Sequence, residues 1–209
     1  MSPRPSHRDA LLDAFVDLVA ADGERTATLD AVADRAGVSK GGLLYHFPSR
    51  DSLVDGLVDR VRTAATADLE VMRRHPEGAA AYHVRTSVPG SSSDHELDRL
   101  VTAATHLATS GRHPRVADAL RATQEDWYAA VLDDVGDPAV ARVVTLVADG
   151  LWFTPRDLAP ADGDPRAATG TDEIVAVLAA LTAGGARTGA RTATGPDSPA
   201  SPGGSAART

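Results

Sequence analysis

The chain has 209 residues, with 29 Asp and Glu against 21 Lys and Arg and a formal charge of −8, enough length for cores that need no covalent staples. Cysteine is absent, which excludes disulfide scaffolds, thiolate nucleophiles and Cys-ligated zinc or iron–sulfur centres. Asp or Arg interrupts every long apolar stretch, so no run approaches the ~20 residues of a membrane span, and the acidic balance confines any polyanion binding to a local patch.

The opening run, MSPRPSHRDALLDAF, lacks the apolar segment of a secretory signal, and a cytoplasmic location is expected. Apolar spacing is helical nearly throughout, with no sustained alternation and no β-branched cluster, so the expected class is all-α. Leu11, Leu12, Phe15, Leu18 and Val19 form one face of a first helix, Asp9, Asp13 and Asp17 recur every fourth residue on another, and Gly23 stops it. Thr28 caps a short second helix with Leu29, Val32, Ala33 and Ala36 inward, ended by Gly37. Ser39 caps a third that reaches no further than Phe47, because Pro48 drives the chain out of the α region.

Ser49 caps a long fourth helix, with a stripe from Leu53 through Leu57, Val61 and Leu69 to Met72 and cationic Arg73 and Arg74 at its end. After Pro76 the pattern weakens. Thr86 to Ser92 reads as a loop, and Ser93 to Glu96 has the spacing of a capping box that opens a helix through Leu107. Pro114 begins the next helix and Gly136 ends it, and Pro138 restarts one that runs to Phe153, before Pro155. Residues 155–170 are too rich in Pro, Gly and Asp for regular structure. A last helix over Glu173–Ala183 stops at Gly184 and Gly185, and the Ala, Gly, Ser, Thr, Pro and Arg that follow cannot bury enough surface to order.

The chemistry sits in the first fifty residues. Helix, short helix, Gly-Val-Ser turn and short helix describe a helix-turn-helix, whose second member enters the major groove. Residues 1–34 hold seven acids against three arginines, whereas Arg35 to Arg50 contains Arg35, Lys40, Arg50 and His46 and no acid. The locally basic surface therefore coincides with the element that would meet DNA. Lys40 is the only lysine, and Ser39 before it is not the glycine a P-loop requires. The histidines show no metal-ligand spacing, there is no catalytic elbow or nucleotide fingerprint, and neither a metal nor a cofactor is implied.

The stretch TLDAVADRAGVSKGGLLYHFPSRDSLV, residues 28–54, resembles the DNA-binding head of TetR-family transcriptional regulators. The resemblance implies a three-helix head over residues 1–52, a helical ligand-binding and dimerisation body over 53–185, and a tail over 186–209. It implies that Thr28 contacts a phosphate, that Ser39 and Lys40 reach base edges, that Tyr45 and His46 meet the backbone, and that Arg50 clamps a phosphate. The family most often has tyrosine at the position of Leu44, and here the aromatic falls one residue later, at Tyr45. Gly42 is expected to bring the recognition helix close to DNA, so that Gly42→Val would weaken binding without lowering stability.

The resemblance also implies a homodimer on a double-stranded, pseudo-palindromic operator, released by a small-molecule effector that displaces the fourth helix, with no membrane partner. Met72, Tyr82, His83, His106, Trp127, Tyr128, Trp152 and Phe153 are the body residues from which an effector cavity would be built. Two alternatives share parts of this pattern: an activating or ligand-blind DNA binder with the same head, and a helical carrier or enzyme that needs no DNA.

Overall fold

A computed structural model of the chain describes residues 6–88, 95–153 and 170–189. These residues form nine helices and no strand: α1 (His7–Asp22), α2 (Leu29–Ala36), α3 (Lys40–His46), α4 (Arg50–Arg73), α5 (Ala79–Thr86), α6 (His95–Thr109), α7 (Pro114–Val135), α8 (Pro138–Phe153) and α9 (Thr171–Gly189). The expected stop and start residues perform those tasks. The hydroxyl of Thr28 accepts from the amide of Ala31 at 3.2 Å and that of Ser39 from Gly42 at 3.1 Å, each satisfying an amide that the first helical turn leaves without a carbonyl. Ser49 and Ser52 form a reciprocal capping box at the start of α4.

Two apolar cores run through the molecule. The first gathers Leu11, Phe15 and Val19 of α1, Leu43 of α3, Phe47 at the C-terminal cap of α3, and Leu57 of α4. It does not close at residue 52, because Leu100, Ala104 and Leu107 of α6 and Val116 of α7 belong to it as well. The second joins the end of α4, including Met72, to α5, α7, α8 and α9. α4 and α7 thus pass through both cores, and a displacement at one end of either helix is felt at the other.

Two of the regular aspartates of α1, Asp13 and Asp17, are ion-paired across helices. Asp13 receives Arg60 of α4 at 2.7 Å, and Asp17 receives Arg99 of α6 at 2.7 Å and Arg35 of α2 at 3.2 Å. Arg60 also pairs with Glu96 of α6. Burial opposes the charge on Arg60, but its hydrogen bonds to Asp13 and Glu96 outweigh that and raise its pKa further.

Two sequence expectations need correction. α5 lies where the pattern fades, and Thr86, expected in a loop, is its last helical residue. Its eight residues are mostly small and have no capping side chain; Gly78 occupies the cap with φ +88 and ψ 164, and Asp134 of α7 supplies the acceptor for the amide of Ala80 at 2.9 Å. α9 continues through Gly184 and Gly185 to Gly189, since a glycine costs a helix only about 1 kcal/mol and does not by itself end one. The Ser93 cap, the segment 155–169 and residues 190–209 lie outside the described residues.

Candidate functional site

Leu43 of α3 and Phe47 at its C-terminal cap, four residues apart, face the core. Lys40, Gly41, Leu44 and Tyr45 form the opposite, exposed row, with Tyr45 83% and Leu44 40% accessible. An aromatic side chain held that far out of the core has no role in the fold of the monomer. Moving the aromatic from position 44 to 45 keeps it on this row. The ring of Tyr45 meets that of His46 edge to face, with centroids 5.1 Å apart. Exposed Thr28 and Ser39 sit at the mouths of α2 and α3, whose free amide ends attract anions.

Lys40 extends from this row, and its Nζ lies 2.9 Å from Asp30 of α2. Both side chains are exposed, so the pair is a weak tether of under about 1 kcal/mol that a phosphate or a base can displace. Arg8 of α1 stacks over the ring of Phe47, 5.1 Å from its centroid, and adds a cation beside the end of α3. It lay too far away in sequence to be associated with the basic run.

Two residues of the head have neighbours inside the fold that their sequence does not show. Arg50 turns inward: it donates to the carbonyl oxygen of Glu24 and its Nη1 lies 3.5 Å from the Glu24 carboxylate. It fixes the start of α4 against the turn between α1 and α2. Gly42 has an internal reason to be glycine, since a Cβ there would meet Cγ1 of Val38 at 2.8 Å and Oγ of Ser39 at 3.3 Å. A side chain at Gly42 therefore requires Val38 to shift, and the stability of Gly42→Val depends on that shift. Gly41 has nothing within 4 Å of a Cβ and is the open glycine on the outer row.

Glu24, 8% exposed, is the joint between head and body. Besides Arg50 it receives Arg112 at 2.7 Å and His113 at 2.9 Å, both at the turn from α6 into α7. Burial pushes the Glu24 carboxyl up, but the hydrogen bonds from His113 and Arg112 prevail and hold it below the usual glutamate range.

Between α4, α5, α6, α7 and α8 lies a cavity open to solvent at its mouth, with a volume of about 90 Å³. His83, Trp127, Trp152 and Phe153 line it as expected. Met72 is fully buried in the second core, and His106 is exposed on α6 beside Gly23. Tyr128 packs against the second core with its hydroxyl 3.5 Å from the carbonyl of Pro138. Tyr82 acts from behind the wall, donating its hydroxyl to Asp68 at 2.6 Å, while the indole N–H of Trp127 donates to the other oxygen of Asp68 at 2.9 Å. Asp68, Asp98, Asp149 and Gln124 line the cavity too. Sequence reasoning missed them because they come from four helices and only the fold assembles them.

Residues 11–57 match the family model described as bacterial regulatory proteins, tetR family, and residues 77–183 match that of the tetracyclin repressor-like C-terminal domain. The chain belongs to the TetR family. The head match spans every residue expected at the DNA, and the second covers α5 to α8 and most of α9, leaving Asp68 in the stretch of α4 between them. Among TetR-family relatives, the regulator BetI of Klebsiella pneumoniae is 28% identical over 96 residues, 45% of this chain and 49% of its own. The chain spans about half the length of that relative, or less for others. Its fold is similar to that of a transcriptional regulator from Rhodococcus sp. Rha1, with a TM-score of 0.58 and 23% identity over 88% of this chain and 97% of the other. The multidrug binding protein EbrR, solved with malachite green, aligns with a TM-score of 0.56 and 22% identity over 85% of this chain and 98% of its own.

Proposed function

We propose that this TetR-family chain is a homodimeric transcriptional repressor, which holds a pseudo-palindromic operator through α3 and leaves it when a small molecule occupies the body cavity. The observation that carries the reading is the outer row of α3, where Lys40, Gly41, Leu44 and Tyr45 stand exposed between two capped helix N-termini. A helix presented this way reads base edges from its first residues, with Lys40 suited to guanine O6 and N7. Thr28, Ser39, His46 and Arg8 surround the row with phosphate donors, and Arg50 serves by orienting α4.

A second copy is the fitting occupant for the other end. Val143, Leu146 and Phe153 of α8 and Val177 and Leu181 of α9 are exposed apolar side chains at helical spacing, the pattern of a two-fold helical interface. Such a dimer sets two copies of α3 ~34–36 Å apart, one DNA turn. Ligand binding in EbrR supports a similar use of the cavity here. A ligand that binds better when the heads are wrongly spaced lowers operator affinity by the same coupling factor.

The test is selection of bound sites from randomised duplex DNA by the purified chain. The reading expects an enriched inverted repeat with half-sites one turn apart. Recovery of no common sequence, at a salt concentration that suppresses nonspecific binding, would refute it.

A further inference from the structure

Leu44 sets an apolar side chain on the outer face of α3. The core does not need it, because Leu43 and Phe47 are the residues that fill the inner side of the helix and its cap, both buried, whereas Leu44 is 40% exposed. Among the described residues of the head, Leu44 and Tyr45 are the exposed large apolar side chains. The exposed stripe of α8 and α9 lies in the body, so Leu44 is not part of it.

Its place on the helix is beside a cation and over a gap. Leu44 lies one turn beyond Lys40 and three positions beyond Gly41, so the three share one patch of surface. Helical side chains lean toward the N-terminus, over the turn before their own Cα. Leu44 therefore leans over Gly41, which has no side chain and nothing within 4 Å of where a Cβ would stand. A base edge can close on Leu44 there with no neighbouring side chain in the way, next to the ammonium of Lys40.

An isobutyl group neither donates nor accepts hydrogen bonds. In the major groove the apolar feature that distinguishes one base from another is the C5 methyl of thymine, and it is the group such a side chain can recognise. We propose that Leu44 reads a thymine methyl and, with Lys40 on guanine, sets part of the operator half-site. The two Cα atoms are about 6 Å apart along the helix axis and base pairs stack ~3.4 Å apart, so the thymine falls within about two base pairs of the guanine. This rests on the reading of α3 as the operator-binding helix and adds the sequence that the helix prefers.

Uracil differs from thymine only in carrying hydrogen at C5, so it removes the methyl and leaves every hydrogen bond of the base pair in place. The test takes the operator recovered by selection with the full-length protein. Each thymine of one half-site is replaced in turn by deoxyuridine, and affinity is measured by anisotropy for wild type, Leu44→Ala and Leu44→Met, with the Tm of each protein measured alongside.

One thymine is expected at which loss of the methyl weakens wild type about fourfold, the effect of burying one methyl group. Leu44→Ala should bind the thymine and uracil operators equally, and Leu44→Met should keep the preference. The contact releases no counterion, so Leu44→Ala should also leave the slope of log affinity against log salt at its wild-type value. A half-site in which no thymine methyl affects wild type, or a methyl dependence undiminished in Leu44→Ala, would overturn the assignment while α3 remains the operator-binding helix. If selection yields no operator, the reading of α3 fails and the assignment falls with it.

Discussion

Replacing Glu24 by glutamine removes one negative charge and leaves the shape of the joint between head and body intact. Arg50, Arg112 and His113 then lose a charged acceptor, with different consequences. Arg112 is 61% exposed and returns to water at little cost, whereas Arg50 at 33% and His113 at 13% stay largely enclosed. A hydrogen bond to a charged group contributes about 1.5–3 kcal/mol and a neutral one about 0.5–1.5, so two enclosed donors lose about 2 kcal/mol together. For a chain of this size that lowers Tm by about 4–8 °C.

The effect also has a pH signature. The Glu24 carboxyl titrates below its usual value of 4.5, so its stabilisation is complete above that value and disappears as pH falls through the lower folded-state pKa. Thermal unfolding of wild type and Glu24→Gln, at equal protein concentration and across the range from pH ~7 to ~3, should show a Tm difference that is full at neutrality and closes in acid. A difference under ~1 °C at pH ~7, or one that stays constant into acid, would refute the reasoning.

Gly78→Ala should destabilise the protein by about 2–3 kcal/mol, measured by urea unfolding, because its φ of +88 with ψ 164 is a conformation nearly exclusive to glycine. The new Cβ would also meet the Asp134 carboxylate that caps α5 at 2.7 Å. The neighbouring glycines of α3 should separate: Gly41→Ala gains up to about 1 kcal/mol of stability while weakening operator binding, and Gly42→Ala loses stability against Val38. Equal unfolding midpoints for the two would contradict the packing described. Leu146→Arg should convert the dimer to a folded monomer, read as halved mass by light scattering, because it sets a charge within the exposed stripe of α8.

The elements that write themselves locally were legible. Caps at Thr28, Ser39 and Ser49, stops at Gly23, Gly37 and Gly136, and the stripes of α1 and α4 depend on residues at most a few positions apart, and all occur as the spacing predicts. The exposed row of α3 follows from the same periodicity once Leu43 and Phe47 are assigned to the core. What spacing could not convey was long-range pairing. Arg50 looked like a free cation because Glu24 lies 26 residues away in sequence, and Lys40 looked unpaired because Asp30 reaches it only across the turn.

α5 was hidden for the opposite reason. Its cap comes from α7, so its own eight residues carry no start signal. The cavity mixes both cases. Its large aromatic residues stand out in a chain with two tryptophans and three phenylalanines, but its aspartates are ordinary helix-surface residues until the helices are assembled.

The central claim is that the outer face of α3 touches DNA. It is tested most directly by anisotropy titrations of the selected operator with wild type, Lys40→Ala and Tyr45→Ala, each with its Tm measured alongside. Both side chains are exposed, so both variants should unfold within ~0.5 kcal/mol of wild type. Lys40→Ala should lose about 1–3 kcal/mol of operator affinity and relax the preference at one base pair. Wild-type affinity in both variants, with the fold intact, would contradict the account.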